Sequence, residues 1–218
     1  MKRVLGAIAI GAATAGTAAA HPHVFIDTSI EVIFDGQGRA EALRISWTYD
    51  DLISLALLSD RGMDEDFDGV LTPEELAALN GFDMQWQPGV TGDTYALAGD
   101  APLVLSGPSD WTVSYADARI TTTHLRRLDP AQEVAPAVPL VVQVYDTSYY
   151  TAYTIVGDAV LTGTTACSAE AFEPDRAAAD LILQNSISEL AGGDAEGDFP
   201  AIGAAYAEEV RVTCNAPS

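Results

Sequence analysis

Residues 64–75 carry oxygen donors at the spacing a cation needs if one short loop is to surround it. Asp64, Asp66 and Asp68 stand first, third and fifth, Gly69 sixth, Val70 seventh, Thr72 ninth and Glu75 twelfth. Every position of the EF-hand loop pattern D-x-[DN]-x-[DN]-G-x5-E is met. Ca²⁺ takes about six to eight oxygens at ~2.3–2.6 Å, and a tight loop supplies them only by turning around the ion. The expected ligands are the carboxylates of Asp64, Asp66 and Asp68, the carbonyl of Val70, Thr72 directly or through water, and both oxygens of Glu75. Gly69 permits the sharp turn, and Leu71 is expected to face the local core. Thr72-Pro73-Glu74-Glu75 also reads as a capping box with Thr72 as N-cap. The two readings coexist, because such a loop runs into its second helix there. Sensor EF-hands work in pairs and open a Met-rich groove. One loop and only three methionines therefore imply a structural calcium site.

The second group with chemistry is His21-Pro22-His23, together with the distant His124, the only other histidine. Residues 1–20 begin with Lys2 and Arg3, continue with an apolar run and end in Ala18-Ala19-Ala20, the pattern of a secretory signal. Cleavage after Ala20 would make His21 the mature N-terminus, where its α-amino group and imidazole can chelate Zn²⁺, Ni²⁺ or Cu²⁺ with His23 nearby. Pro22 has no amide hydrogen, which removes the square-planar site built from deprotonated amides. His124 would complete a three-histidine site only if folding brought it beside the N-terminus. Without a metal, His21 and His23 are a solvated end and His124 a surface strand residue.

Length and composition bound the elements that must position these groups. Residues 21–218 suffice for one β-rich exported domain. The formal net charge of −22 repels nucleic acid and anionic headgroups and gathers cations, or serves solubility alone. After the signal, no run of about 18 apolar residues offers a membrane span. Cys167 and Cys214 are the only cysteines, and an even count in an oxidising compartment predicts a disulfide.

Alternation over 23–34, a turn at Asp35-Gly36-Gln37-Gly38 and a returning strand over 41–47 predict a hairpin. Helical spacing over 50–58, closed by Gly62, and a second helix over 73–79 flank the acidic loop, making 50–80 a helix-loop-helix insertion. Further β segments are expected at 95–97, 103–105, 111–115, 119–125, 140–145 and 152–161. A helix is expected over 173–190, an exposed loop over 192–198, and a short helix or strand reaching Cys214. The fold class is α+β: a mostly antiparallel β domain with an EF-hand insertion and a C-terminal helix.

His21 to Asp27, Trp47-Thr48-Tyr49-Asp50, the acidic loop and Val144-Tyr145-Asp146-Thr147-Ser148-Tyr149-Tyr150, with Cys167, resemble the exported domain-of-unknown-function-1007 family over roughly 20–167. The resemblance implies a periplasmic component of an ABC-type transport system, associated with nickel/cobalt or zinc transporters. The expected function is a metal-handling accessory protein beside a membrane metal transporter, stabilised by calcium. A calcium-dependent periplasmic interaction module is the alternative. No nucleophile–base pair or phosphate loop is visible, so no enzyme is expected. A copper-dependent oxygenase using the N-terminal His is the remote third reading, and His124 alone is available as its second histidine.

Overall fold

The computed structural model describes residues 21–87, 89–164, 166–189 and 199–215. The expected leader and the 192–198 loop lie outside the described residues.

Strand β1 (Val24–Phe34) buries Ile26, Thr28, Ile30, Val32 and Phe34 and turns the intervening residues outward, the period of a half-buried strand. Its partner β2 (Ala40–Tyr49) returns antiparallel. The Asp35 carboxylate closes the turn by accepting the Gln37 and Arg39 N–H groups, both at 2.9 Å, and the Arg39 guanidinium. These bonds hold the Asp35 carboxyl below its ordinary pKa, and the Arg39 backbone contact dominates. The register places Ile30 opposite Ile45 and Ile26 opposite Tyr49, so one apolar face is shared.

The first sheet continues with β5 (Ser109–Ala116) and β6 (Arg119–Gln132) beyond β2. On the other side β8 (Thr151–Ile155) and β9 (Val160–Thr162) run parallel to β1. Its order is β5-β6-β2-β1-β8, with β9 also on β1. The second sheet, β10-β11-β7-β3-β4, contains β3 (Thr94–Ala98), β4 (Ala101–Pro102), β7 (Leu140–Val144), β10 (Cys167–Phe172) and β11 (Glu208–Cys214). Val142, Val144, Val210 and Val212 from this sheet share one apolar cluster with Ile30, Val32 and Ile45 from the first. Burial of these side chains, about 1.5–3 kcal/mol each, fixes the sheets face to face. Helices α1 (Asp51–Asp60) and α2 (Pro73–Leu79) connect β2 to β3, and α3 (Arg176–Glu189) lies between β10 and β11.

The mostly antiparallel α+β fold is therefore as expected, with differences in particular segments. Residues 152–161 form two strands because Gly157, at φ +71°, breaks the run; both halves pair with β1. The strand expected at 103–105 is displaced to β4, which pairs with β3 across the Gly99-Asp100 turn, leaving Leu105 a single bridge to Leu128. β10 escaped sequence reading because CSAEAF has little β-branched character. It is a strand because it borders β11. Cys167 and Cys214 lie directly opposite in that pair and are disulfide-bonded, so the bond closes the segment that holds α3.

Candidate metal sites

The acidic loop is held from both sides. Asp50 caps α1 by accepting the Ile53 N–H at 2.8 Å, and its other oxygen accepts the Phe25 N–H at 3.1 Å, tying the helix to the start of β1. At the far end of α1, Gly62 at φ +63° turns the chain so that the Met63 N–H reaches the Leu58 carbonyl at 3.0 Å. This is a Schellman-type stop, and it ends the entering helix before the loop begins. Leu58, Leu71 and Leu79 are buried in the core cluster, so the apolar eighth position anchors the loop as expected.

Between these anchors, Asp64, Phe67 and Gly69 adopt left-handed backbone angles of φ 51°, 55° and 76°. The resulting turn brings one carboxylate oxygen each from Asp64, Asp66 and Asp68 within 4.8 Å of one another. The Gly69 N–H donates to Asp64 Oδ1 at 3.2 Å and the Val70 N–H to Asp68 Oδ1 at 2.8 Å. Glu75 stands beside this group and is already engaged. Oε1 accepts the Asp64 N–H at 3.0 Å; Oε2 accepts the Thr72 N–H and hydroxyl, each at 2.8 Å. The Glu75 N–H in turn donates to Thr72 Oγ1 at 3.2 Å, completing the capping box. The Thr72 backbone bond is the main cause that lowers the Glu75 pKa, followed by the Thr72 hydroxyl and the Asp64 N–H. The ionised form is thus held next to the three aspartates. To give both oxygens to a cation alone, Glu75 would have to give up its bonds to Thr72 and to the Asp64 N–H.

His21 and His23 are also brought together. Their ring centroids are 4.9 Å apart in an edge-on arrangement, and His21 stacks on Phe199 at 3.8 Å with the planes 9° apart. His23 is 4.8 Å from the Tyr150 ring, and its N–H donates to the Tyr150 carbonyl at 2.8 Å. The Asp146 carboxylate shapes that loop by accepting the Ser148 N–H at 2.9 Å and the Thr151 N–H at 3.0 Å.

The fold does not bring His124 to this pair. His124 lies opposite Ile45, which lies opposite Ile30, so it sits seven residues farther along the sheet than His23. At ~3.3 Å per residue that is more than roughly 20 Å. Nor is His124 a surface residue: it is fully buried, with Trp47 at 4.7 Å and Trp86 at 5.4 Å.

The profile of a family described as protein of unknown function (DUF1007) matches residues 6–214. The chain belongs to the DUF1007 family. The match runs past Cys167 through Cys214, so β10, α3 and β11 belong to the family domain as well as the motifs nearer the N-terminus. No curated protein and no solved structure matches the chain.

The segments that carry the resemblance gather around two places. Val144 to Tyr150 supports the His21–His23 end, and Trp47-Thr48-Tyr49-Asp50 reaches into a polar interior that the sequence did not announce. There the Tyr49 hydroxyl and the Thr122 hydroxyl donate to Asp83 Oδ2 at 2.9 and 2.7 Å, and Tyr153 donates to Asp93 Oδ2 at 2.8 Å. Burial raises the Asp83 pKa and pushes Asp93 up to about 6. Burial, helped by the Arg126 charge, pushes His124 down to about 4. Neither ring nitrogen of His124 has a hydrogen-bond partner among the described residues, so the ring is held neutral by desolvation. Asp83 and Asp93 lie in loops around α2 and β3, and no spacing rule marks them.

Proposed function

We propose that this chain is an exported metal-binding accessory protein. Residues 64–75 hold a calcium ion that stiffens the helix-loop-helix, and His21 and His23 hold a transition ion, Zn²⁺, Ni²⁺ or Cu²⁺, on its way to or from a membrane metal transporter. The observation that carries the reading is the convergence of Asp64, Asp66 and Asp68 within 4.8 Å, on a loop whose remaining donors stand in EF-hand register. Three carboxylates this close repel one another, and a bound dication relieves that repulsion. The paired rings of His21 and His23 supply two imidazoles of the type that borderline metals prefer. With the leader removed, the α-amine would add a third nitrogen.

Calorimetric titration of the leader-processed chain tests both halves. Calcium should bind with a Kd of about 10⁻⁴–10⁻³ M, as exported modules commonly do, and Asp64→Ala with Glu75→Gln should abolish that heat. His21→Ala with His23→Ala should remove zinc and nickel binding while leaving calcium untouched. An unchanged calcium titration in the first double variant would end the calcium assignment. Unchanged zinc and nickel titrations in the second would end the histidine assignment.

One observation favours the second reading, a calcium-dependent interaction module. Leu52 and Leu55 on α1, with Phe67 and Val70 on the loop, are large apolar side chains left exposed, Phe67 by 77% and Leu52 by 71%. If they form the working surface, Leu52→Ser with Phe67→Ser will stop calcium-dependent co-sedimentation with envelope fractions and leave calcium affinity unchanged.

A further inference from the structure

One cavity among the described residues lies away from both metal sites. It is a cleft of about 750 Å³ beside the outer strands of the second sheet, walled by Trp86, Trp111, Tyr95, Tyr145 and Leu103, with Thr94 and Arg126 on its inner side. Its size is within the range of small-molecule sites. Tyr95 and Tyr145 stack at 4.1 Å, forming a rigid aromatic wall. In a chain with 32 acidic and 10 basic residues, no Asp or Glu among the described residues lines this cleft, and one arginine does. The cavity beside the calcium loop, by contrast, is lined by Asp64 and Glu65.

Arg126 is the anomaly. It is 4% exposed, and its guanidinium lies 5.0 Å over the Trp86 ring. Nε donates to the Ser106 carbonyl at 2.7 Å and Nη1 to the Thr91 carbonyl. Each of the ion pairs formed among the described residues belongs to another arginine. Carbonyls orient a guanidinium without neutralising it, and a buried charge ordinarily has a counter-charge. Beside it in the same cleft, Thr94 is 2% exposed and its hydroxyl has no partner among the described residues. Such unpartnered buried groups are rare in native folds.

We infer that this cleft binds a small organic carboxylate with an apolar or aromatic body, its carboxylate paired with Arg126 and its body against the Trp86, Trp111 and Tyr95 walls. An arginine fork suits a carboxylate in two-point contact, and the Thr94 hydroxyl offers a further donor. The surrounding negative surface disfavours multiply charged anions, so the preferred ligand carries a single charge and gains the rest of its affinity from aromatic contact. This site is independent of calcium and of the histidine pair.

Titration of the full processed chain with 3-phenylpropionate and phenylacetate, followed by calorimetry and tryptophan emission, tests the inference. The matched neutral amides serve as controls. The acids should bind at least about tenfold more tightly than the amides, the scale of a lost charge-assisted contact. Arg126→Gln should remove that preference. Because Arg126→Gln can compromise folding, two milder variants accompany it. Thr94→Val deletes only the unpartnered hydroxyl and Trp111→Ala shortens an exposed wall; each should weaken binding severalfold with the circular dichroism spectrum unchanged. Absence of binding at millimolar probe, equal binding of acid and amide, or affinities indifferent to Thr94→Val and Trp111→Ala would each overturn the assignment.

Discussion

Gly203→Ala should destabilise the domain by about 3 kcal/mol or more, the penalty expected when a side chain is forced against backbone that cannot yield. An added Cβ would lie 1.7 Å from the Asp146 carbonyl oxygen and 2.7 Å from its carbon. The Gly203 N–H donates to the Thr147 carbonyl at 3.0 Å, so the two backbones are drawn together at the point where the methyl would go. Asp146 cannot retreat easily, since its carboxylate holds Ser148 and Thr151. The C-terminal segment would have to lift instead. That would part Tyr206 from Tyr149, stacked at 4.1 Å, and Phe199 from His21. Urea unfolding measures the first effect, and a weakened zinc titration measures the second. Gly36→Ala, placed in an exposed turn with nothing within 4 Å of the added Cβ, is the control and should stay within about 0.5 kcal/mol of the parent. If Gly203→Ala unfolded at the same urea concentration as Gly36→Ala, the close approach at Asp146 would be refuted.

The second large effect is a pH dependence hidden by compensation. His124 titrates at about 4 when folded against 6.5 unperturbed. Its contribution to stability is therefore complete above pH 6.5 and is lost as pH falls toward 4. At 1.36 kcal/mol per pKa unit the loss amounts to about 3 kcal/mol. Asp93 runs the other way. Its pKa is about 6 when folded against 3.8 unperturbed, so its contribution is complete below pH 3.8 and is lost as pH rises toward 6, again by about 3 kcal/mol. Between pH 4 and 6 the two slopes oppose, and the wild-type protein should show little net change from this pair. His124→Phe fills the same space between Trp47 and Trp86 without a titrating group. Its stability relative to wild type should rise by about 3 kcal/mol between pH 7 and pH 4. Asp93→Asn should show the opposite trend, gaining on wild type as pH rises from 4 to 6. Urea midpoints across that range decide the matter. A His124→Phe difference that did not vary with pH would show that the imidazole is not held neutral by burial.

Much of the candidate calcium site was legible because its geometry is local. Asp64 to Glu75 lie within one turn of chain, and the ligand spacing, the glycine angle and the Thr72 cap are all set by neighbours a few residues apart. The same holds for the Asp35 turn and the Gly62 stop, where a short polar side chain or a glycine decides the local backbone. The limits were equally local in origin. The pattern placed Glu75 among the ligands, whereas the fold also gives both its oxygens to Thr72 and Asp64, a competition that spacing alone cannot rank.

What lay beyond the sequence depends on register between distant strands. His124 and His23 look alike as candidate ligands on paper, yet pairing through Ile45 and Ile30 sets them far apart and buries one. Phe199 under His21, Gly203 against Asp146, Asp93 beneath Tyr153 and Arg126 over Trp86 all join segments widely separated in the chain. Local chemistry determined which groups this protein carries and how each short loop bends. Desolvation and cross-sheet register, which exist only once the two sheets close on each other, decided which of those groups meet, which stay ionised and which stand alone.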